Sequence, residues 1–181
     1  MKTLEDQMSI YAAYHQDARN KATHFVGVPV IVFSLMIPLG WLRIDAGGTV
    51  LTGAFAVAAV LLLYYLVLDA VLGVAMCVLF GAMIWLADPL SRAPLGTSAA
   101  WFVALFVGGW ALQLWGHVYE GRKPALVDNL FQIFVAPIFL CAEAFFALGY
   151  KPRLHAAVQK RALELRAEAM GAAPGPASPA T

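Results

Sequence analysis

The stretch VLTGAFAVAAVLLLYYLVLDAVLGVAMCVLFGAMIWLA, residues 50–87, holds a single charged side chain, that of Asp69. A helix that crosses a bilayer needs about 20 predominantly apolar residues, and this stretch is about twice that length. It therefore predicts two spanning helices joined by a tight turn near Asp69 and Gly73. The composition agrees, because 61% of the 181 residues are hydrophobic and 13% are charged, whereas soluble domains carry about 25% charged residues.

Further apolar stretches lie on both sides of this hairpin. Residues 25–42, with Pro29 near the start, predict the first span, and residues 98–115 predict the fourth, after a loop at 88–94. Residues 125–148 are apolar but carry polar side chains, so they form either a fifth span with an inward polar face or a re-entrant or interfacial helix. We expect an all-α polytopic membrane bundle with four spans plus this fifth helix.

The distribution of lysine and arginine helps to choose between these arrangements. If residues 125–148 span, the two sides of the membrane carry 5 and 7 such residues; if they do not span, the split is 10 against 2. Because cytoplasmic loops are rich in lysine and arginine, we favour the second arrangement, with both termini cytoplasmic. Residues 1–24 lack the apolar core of a signal peptide, and the alanine-rich composition favours a bacterial cytoplasmic (inner) membrane.

The domain organisation follows from the same patterns. Residues 1–154 predict a single membrane domain, residues 155–170 an amphipathic surface helix, and residues 171–181 a disordered tail rich in Pro, Ala, Gly and Ser.

The net charge of +1 argues against a nucleic-acid partner. Cys77 and Cys141 lie inside apolar runs without a CxxC pair, which indicates buried thiols rather than a zinc ribbon.

Three of the four histidines fall in two polar clusters that interrupt this apolar sequence. The clusters comprise Tyr11, Tyr14, His15, Asn20 and His24, and Trp110, Gln113, His117 and Glu120. Polar groups at the edge of a hydrocarbon slab are costly unless something binds them, and neutral imidazole is the commonest nitrogen ligand of divalent metals. Both clusters fall on the same side of the membrane, because the fourth span returns the chain there. The working hypothesis is a membrane metal site.

Helix geometry differs between the two clusters. At about 100° per residue, Gln113, His117 and Glu120 form a narrow polar stripe on one helix face, and Gly116 beside it permits close approach of another backbone. In the first cluster, His15 and His24 are nine residues apart and would point to opposite faces of one continuous helix. Either the helix breaks between His15 and Asn20, or the two histidines serve different purposes.

Other interpretations fit the same residues. The histidines are also compatible with hydrogen-bonded interfacial side chains, Tyr11 and Tyr14 with aromatic residues at the headgroup level, and Asp69 with a hairpin turn. Two histidines as axial ligands would make a haem protein. A transporter or assembly factor without chemistry is a further alternative, and a zinc hydrolase is disfavoured because only Glu120 offers itself as a general base.

Three blocks of the sequence resemble the Mpo-like family. They are YHQDARNKATHFVGVP at residues 14–29, GWALQLWGHVYEGRKPALVDNL at residues 109–130 and LGYKPRL at residues 148–154. The resemblance runs from Tyr11 to Leu154, and the spans between the blocks are similar in hydrophobicity alone. The family's fungal member acts in turning phytosphingosine into odd-chain fatty acids.

The resemblance implies an iron(II)-dependent dioxygenase that shortens a 2-hydroxy fatty acid by its carboxyl carbon. The family's essential histidines correspond to His15, His24 and His117, which the resemblance implies as iron ligands. The chain has one histidine after Tyr14 where the family pattern has a pair. Glu120 or a water would therefore complete a larger iron shell, or Glu120 would orient a ligand.

The remaining expectations concern the surroundings of the iron. Gln113 and Asn20 are expected to hold imidazole N–H groups or other ligands in place. Arg122 and Lys123, with Tyr14, are expected to meet the substrate carboxylate at the interface, although Arg122 and Lys123 also fit a simple positive loop. The expected partners are the 2-hydroxy fatty acid, O₂ and the bilayer. No 2-oxoglutarate is required, since the substrate itself supplies electrons.

Overall fold

The computed structural model describes residues 3–121, 131–169 and 171. The elements follow in the order α1 (Leu4–Ala13), α2 (Ala18–Leu39), β1 (Arg43–Ala46), β2 (Thr49–Thr52), α3 (Gly53–Leu68), α4 (Ala70–Arg92), α5 (Leu95–Glu120), α6 (Gln132–Ala147) and α7 (Pro152–Ala169). Helix α2 is central and packs against α4, α5 and α6, while α1 packs against α6 and α7. The predictions for Arg122, Lys123 and residues 172–181 lie outside the described residues.

The predicted hairpin turn at Asp69 is confirmed. Helix α3 ends at Leu68, and the Asp69 carboxylate begins α4 by accepting hydrogen bonds from the amides of Val71 and Leu72, at 3.0 and 3.1 Å. Asp69 thus satisfies amide groups that a helix start leaves without partners. A side chain at Gly73 would stand 2.7 Å from the backbone of α3, so glycine permits the tight return.

Among the described residues, three helices are long and apolar enough to cross a membrane, namely α2, α4 and α5. Helices α3 and α6 are apolar but have 16 residues each, fewer than a span requires; the second predicted span, where α3 lies, and the fifth helix's relation to the membrane stay predictions. Large apolar side chains point outward, such as Val60 at 72% and Trp85 at 75% exposure. Such a surface indicates membrane association.

The boundaries of two predicted spans are corrected. Helix α2 begins at Ala18, so Pro29 lies inside the helix and not near its start. Helix α4 continues to Arg92 through part of the predicted loop. The extension is held by Asp88, whose carboxylate pairs with Arg43 at 2.9 Å and with Arg92, one helical turn further on, at 2.7 Å.

The chain is mostly helical, as predicted, but one hairpin departs from the all-α class. Strands β1 and β2 pair antiparallel, with Ala46 opposite Thr49. The connecting residues Gly47 and Gly48 have φ of +65° and +92°, which is the left-handed backbone that two-residue hairpin turns require. The Gly-Gly pair, followed by the β-branched residues Thr49 and Val50, is the signal that the prediction overlooked.

The amphipathic helix predicted at residues 155–170 is observed as α7, three residues longer at its start. Its apolar side chains Val158 and Ala162 are fully buried, and the helix packs on α1. Its apolar face therefore covers protein.

Helices α2 and α5 approach closely because glycines line their contact. A Cβ on Gly116 would lie 2.1 Å from Thr23 Oγ1 and 2.6 Å from Asn20 Oδ1, and a Cβ on Gly109 would lie 2.6 Å from Ile31 Cγ1. The close approach expected at Gly116 is thereby confirmed. This contact sets the distance between the histidines that the two helices carry.

We expect Gly116→Ala to destabilise the protein by about 1–3 kcal/mol, because the added methyl group overpacks the contact between α2 and α5. Thermal unfolding in detergent measures the effect. Gly108→Ala is the matched control, since a Cβ on Gly108 meets nothing within 4 Å and alanine favours the helix. An unchanged midpoint in Gly116→Ala would show that the two helices separate without cost.

Candidate metal centre

Three histidines from separate segments meet in one buried cluster. His15 lies in the turn between α1 and α2, His24 lies in α2, and His117 lies in the last turn of α5. Their ring centroids are 4.5, 5.2 and 5.0 Å apart, and their exposures are 2%, 3% and 8%. The chain leaves the helix between Ala13 and Ala18, so of the two alternatives left open by the sequence, the helix break is the one observed.

Hydrogen bonds fix the orientation of two imidazole rings. The Nδ1 atom of His15 lies 2.8 Å from the carbonyl oxygen of Tyr11, and that of His24 lies 2.8 Å from the carbonyl oxygen of Asn20. A carbonyl oxygen accepts only, so each Nδ1 carries the hydrogen and each neutral ring presents a lone pair at Nε2. This second hydrogen bond is the arrangement typical of metal-bound histidine.

The two Nε2 atoms face one another at 3.1 Å. A hydrogen bond between them would require one ring to carry a second proton and a positive charge, which burial opposes. A shared cation resolves the conflict, since two imidazole nitrogens each about 2.1 Å from a divalent metal, at right angles, lie about 3 Å apart. The separation fits a bound metal.

His117 completes the donor set. One ligand atom from each of the three rings can be chosen such that all three lie within 4.8 Å of one another, and the Nδ1 atom of His117 is buried without a hydrogen-bond partner among the described residues. Three neutral imidazoles suit zinc, copper, iron or nickel. The residues present therefore fit a first-row divalent metal with positions left for other ligands.

Tyr11 positions one of these rings. Its ring stacks on His15 with a centroid distance of 4.1 Å and an interplanar angle of 5°, and its carbonyl oxygen holds the His15 Nδ1 atom. Complete burial raises the pKa of the Tyr11 hydroxyl, which stays protonated. Tyr14 ends α1 in a half-buried position, and its expected place near the substrate stays a prediction. Sequence reasoning therefore undervalued Tyr11, whose spacing of four residues from His15 was visible.

Burial, with the neighbouring histidines, lowers the pKa of His15 well below 6.5. An unfolded chain takes up a proton below pH 6.5 while the folded metal-free protein does not, so folding loses stability as pH falls below that value. We expect this loss to approach about 1.4 kcal/mol per pH unit for this histidine. Unfolding of metal-free protein between pH 8 and pH 5 measures it, and His15→Gln should flatten the profile; equal slopes in both proteins would contradict the assignment.

Glu120 holds the turn that carries His15. Its carboxylate accepts hydrogen bonds from Gln16 N at 3.0 Å, Asp17 N at 2.8 Å and Asn20 Nδ2 at 3.2 Å, and it forms an ion pair with Arg166 of α7. The Glu120 side chain is fully buried. Four donors thus hold the carboxylate against the start of α2.

The two predicted amides have different environments. Asn20 holds the His24 ring as expected of it, but through its backbone carbonyl, while its side chain donates to Glu120. The Gln113 side chain is buried, and neither of its amide atoms has a hydrogen-bond partner among the described residues. Gln113 therefore holds no imidazole here and has its full hydrogen-bonding capacity available.

A cavity of about 360 Å³ begins at the three histidines and continues between α2, α3 and α6. Its volume is in the range of small-molecule sites. The walls away from the histidines are apolar, with two buried amides as exceptions, those of Gln113 and Gln132. Gln132 was visible in the sequence only as one of the polar residues of 125–148, because nothing in the sequence placed it in one cavity with the histidines.

Comparison with known proteins agrees with this site. The family described as 2-hydroxy-palmitic acid dioxygenase Mpo1-like matches residues 1–148. This chain belongs to the Mpo1-like family. It is 36% identical over 162 residues to the 2-hydroxy-palmitic acid dioxygenase MPO1 of Saccharomyces cerevisiae, covering 86% of this chain and 87% of the yeast protein. No solved structure matches the chain. The Mpo1-like match includes every histidine of the cluster and ends before α7.

Proposed function

We propose that this protein is an iron(II)-dependent dioxygenase that converts a 2-hydroxy fatty acid into a fatty acid one carbon shorter. The observation that carries the proposal is the cluster of three buried imidazoles at one end of an apolar cavity. The name of the yeast relative, a 2-hydroxy-palmitic acid dioxygenase, supplies the substrate class.

The overall reaction balances without a further reductant. A 2-hydroxy acid and O₂ give a carboxylic acid one carbon shorter, CO₂ and water; the bond between C1 and C2 breaks, and C2 becomes the new carboxyl carbon. The substrate gives up the four electrons that O₂ accepts. Iron(II), when bound, supplies the redox chemistry and the open coordination positions.

The residues of the chain have separable roles in this proposal. His15, His24 and His117 hold the iron, and the hydrogen bonds at the Nδ1 atoms of the first two keep those rings oriented. Glu120 and Asn20 act as positioning residues, because the contacts of Glu120 fix the turn before α2. The apolar cavity takes the acyl chain and excludes water from it.

Two parts of the proposal rest on sequence. Arg122 and Lys123 follow the second histidine block and would attract the substrate carboxylate near the membrane surface, with Tyr14 beside His15 on the same side. The 10 to 2 distribution of lysine and arginine supports cytoplasmic termini, and the alanine-rich composition supports a bacterial cytoplasmic membrane.

The geometry disfavours the haem alternative. Axial histidines stand on opposite faces of the porphyrin, which places their coordinating nitrogens about 4 Å apart at ordinary metal–nitrogen distances. The Nε2 atoms of His15 and His24 are 3.1 Å apart, and the centroid of the His117 ring lies 5.2 and 5.0 Å from the centroids of their rings. His15 and His24 therefore lie too close together to bind a haem between them.

The test uses detergent-purified protein loaded with iron(II) under argon, then given 2-hydroxypalmitate and air, with products identified by mass spectrometry. We expect pentadecanoic acid, with none formed without iron or without O₂. Palmitate is the control substrate, since it lacks the hydroxyl group and should remain unchanged. If the protein binds stoichiometric iron but forms no shortened product, the metal centre is retained and the substrate is rejected. If the purified protein retains zinc, does not take up iron and forms no product, the dioxygenase is rejected.

A further inference from the structure

Gln132 is buried in the cavity wall with its hydrogen-bonding groups unused. Its residue exposure is 1%, and neither its amide nitrogen nor its amide oxygen has a partner among the described residues. An unpartnered buried amide costs stability. Such groups in a cavity are expected where a ligand supplies the missing partner.

The place of Gln132 in the fold favours an anionic partner. It is the first residue of α6, a helix of 16 residues. Helix starts attract negative charge. The first turn of α6 is fixed to α3, because the Tyr65 hydroxyl donates to the carbonyl oxygen of Phe134 at 2.5 Å.

Gln113 contributes a second unused amide to the same cavity. It lies one helical turn before His117 on α5, and its side chain lies against α2 at Gly27, where an added Cβ would stand 3.0 Å from Gln113 Nε2. Two amides provide four N–H donors and two acceptor oxygens. A carboxylate accepts from such donors, and a neighbouring hydroxyl can both donate and accept.

The apolar part of the cavity fixes the direction of a long ligand. Along α2 its lining runs from His24 to Leu39, which is about 22 Å at the helical rise per residue. Val57 and Leu61 of α3 contribute further apolar side chains to the wall. A polar head at the histidines and an extended apolar tail toward Leu39 match this shape.

We propose that Gln132 and Gln113 form the receptor for the carboxylate and hydroxyl of a long-chain 2-hydroxy acid, with the acyl chain lying along α2 toward Leu39. The inference rests on the proposed function. It names two residues that recognise the polar end of the substrate, its carboxylate and hydroxyl groups. Gln132 is the member that sequence analysis did not assign. Its amide binds and orients the acid, and the histidines keep their separate role.

The test measures equilibrium binding under argon, where no turnover takes place, with and without iron. The probes are 2-hydroxyhexadecanoic acid and hexadecanol, which lacks the carboxylate. In Gln132→Met we expect the Kd of the acid to rise about 10- to 100-fold, the loss expected for hydrogen bonds to a charged group, and the Kd of the alcohol to stay the same. Gln132→Glu, which sets two carboxylates against each other, should weaken acid binding further.

A stability measurement separates this role from a structural one. Since Gln132 has no partner to lose, Gln132→Met should unfold at the same temperature as the wild type or higher. Gln7→Met is the matched control, because Gln7 is also buried but lies outside the cavity lining and donates to the Tyr64 hydroxyl; it should lose stability and bind the acid normally.

The outcomes distinguish failure of the receptor from failure of the proposed function. Unchanged acid binding in both Gln132 variants would overturn the receptor, as would equal losses for the acid and the alcohol together with lower stability. If the wild-type protein forms the shortened acid while Gln132→Met binds the 2-hydroxy acid normally, the proposed function is retained and the receptor is rejected. Gln132-dependent binding in a protein that forms no shortened acid would retain the receptor and reject the proposed function.

Discussion

Alanine in place of His15, His24 or His117 is expected to abolish iron retention and formation of the shortened acid. Each ring supplies one of three donor atoms that lie within 4.8 Å of one another, so two remaining imidazoles hold the metal weakly. Loss of a residue behind a ligand typically weakens metal binding about 10- to 100-fold, and loss of the ligand itself should exceed that. Metal analysis after dialysis and mass spectrometry of the products give the two measurements.

His155→Ala is the matched control for this prediction. His155 belongs to α7 and stacks on Phe146 with centroids 4.7 Å apart, outside the metal group found among the described residues. It should retain iron and activity. If the alanine variant of His15, His24 or His117 kept its full iron content and its turnover of substrate, the substituted histidine would not be a ligand. If all three lost product but retained iron, the histidines would act on substrate instead.

Local pattern was sufficient to predict much of the site. Imidazoles in an otherwise apolar chain predicted the three histidines, and the stripe formed by Gln113, His117 and Glu120 followed from helical periodicity alone. The sequence also required a helix break for His15 and His24 to converge, and the break is observed at residues 14–17. The turn at Asp69 was also predictable, because Asp69 is the single charge in a long apolar stretch.

Contacts between distant segments were not predictable in this way. The ion pair between Glu120 and Arg166 joins α5 to α7, and the sequence presents Arg166 only as one charge of an amphipathic helix. Gln132 was one polar residue among several, and what distinguishes it is its place in a cavity formed by helices that are far apart in the chain. The hairpin at Gly47 and Gly48 was missed for another reason: its local signal was present but outweighed by the surrounding apolar runs.

Glu120→Gln is expected to lower the free energy of unfolding by about 1.5–3 kcal/mol, the typical worth of hydrogen bonds to a charged group, because it leaves the part-buried Arg166 guanidinium opposite a neutral amide. The same change weakens the hold on the backbone amides of Gln16 and Asp17, so His15 should shift relative to His24. We therefore also expect iron affinity to fall about 10- to 100-fold, the effect typical of a residue that orients a ligand.

Comparison with a second ion pair decides what Glu120 does. Glu143→Gln breaks the pair between Glu143 and Lys21, whose atoms are 2.9 Å apart and whose side chains are 12% and 23% exposed; it should destabilise the protein with little effect on iron. If Glu120→Gln lost iron completely while unfolding like the wild type, Glu120 would be a fourth ligand. Partial loss of iron together with lower stability is the result that a positioning residue requires, because the carboxylate then acts through the turn that carries His15.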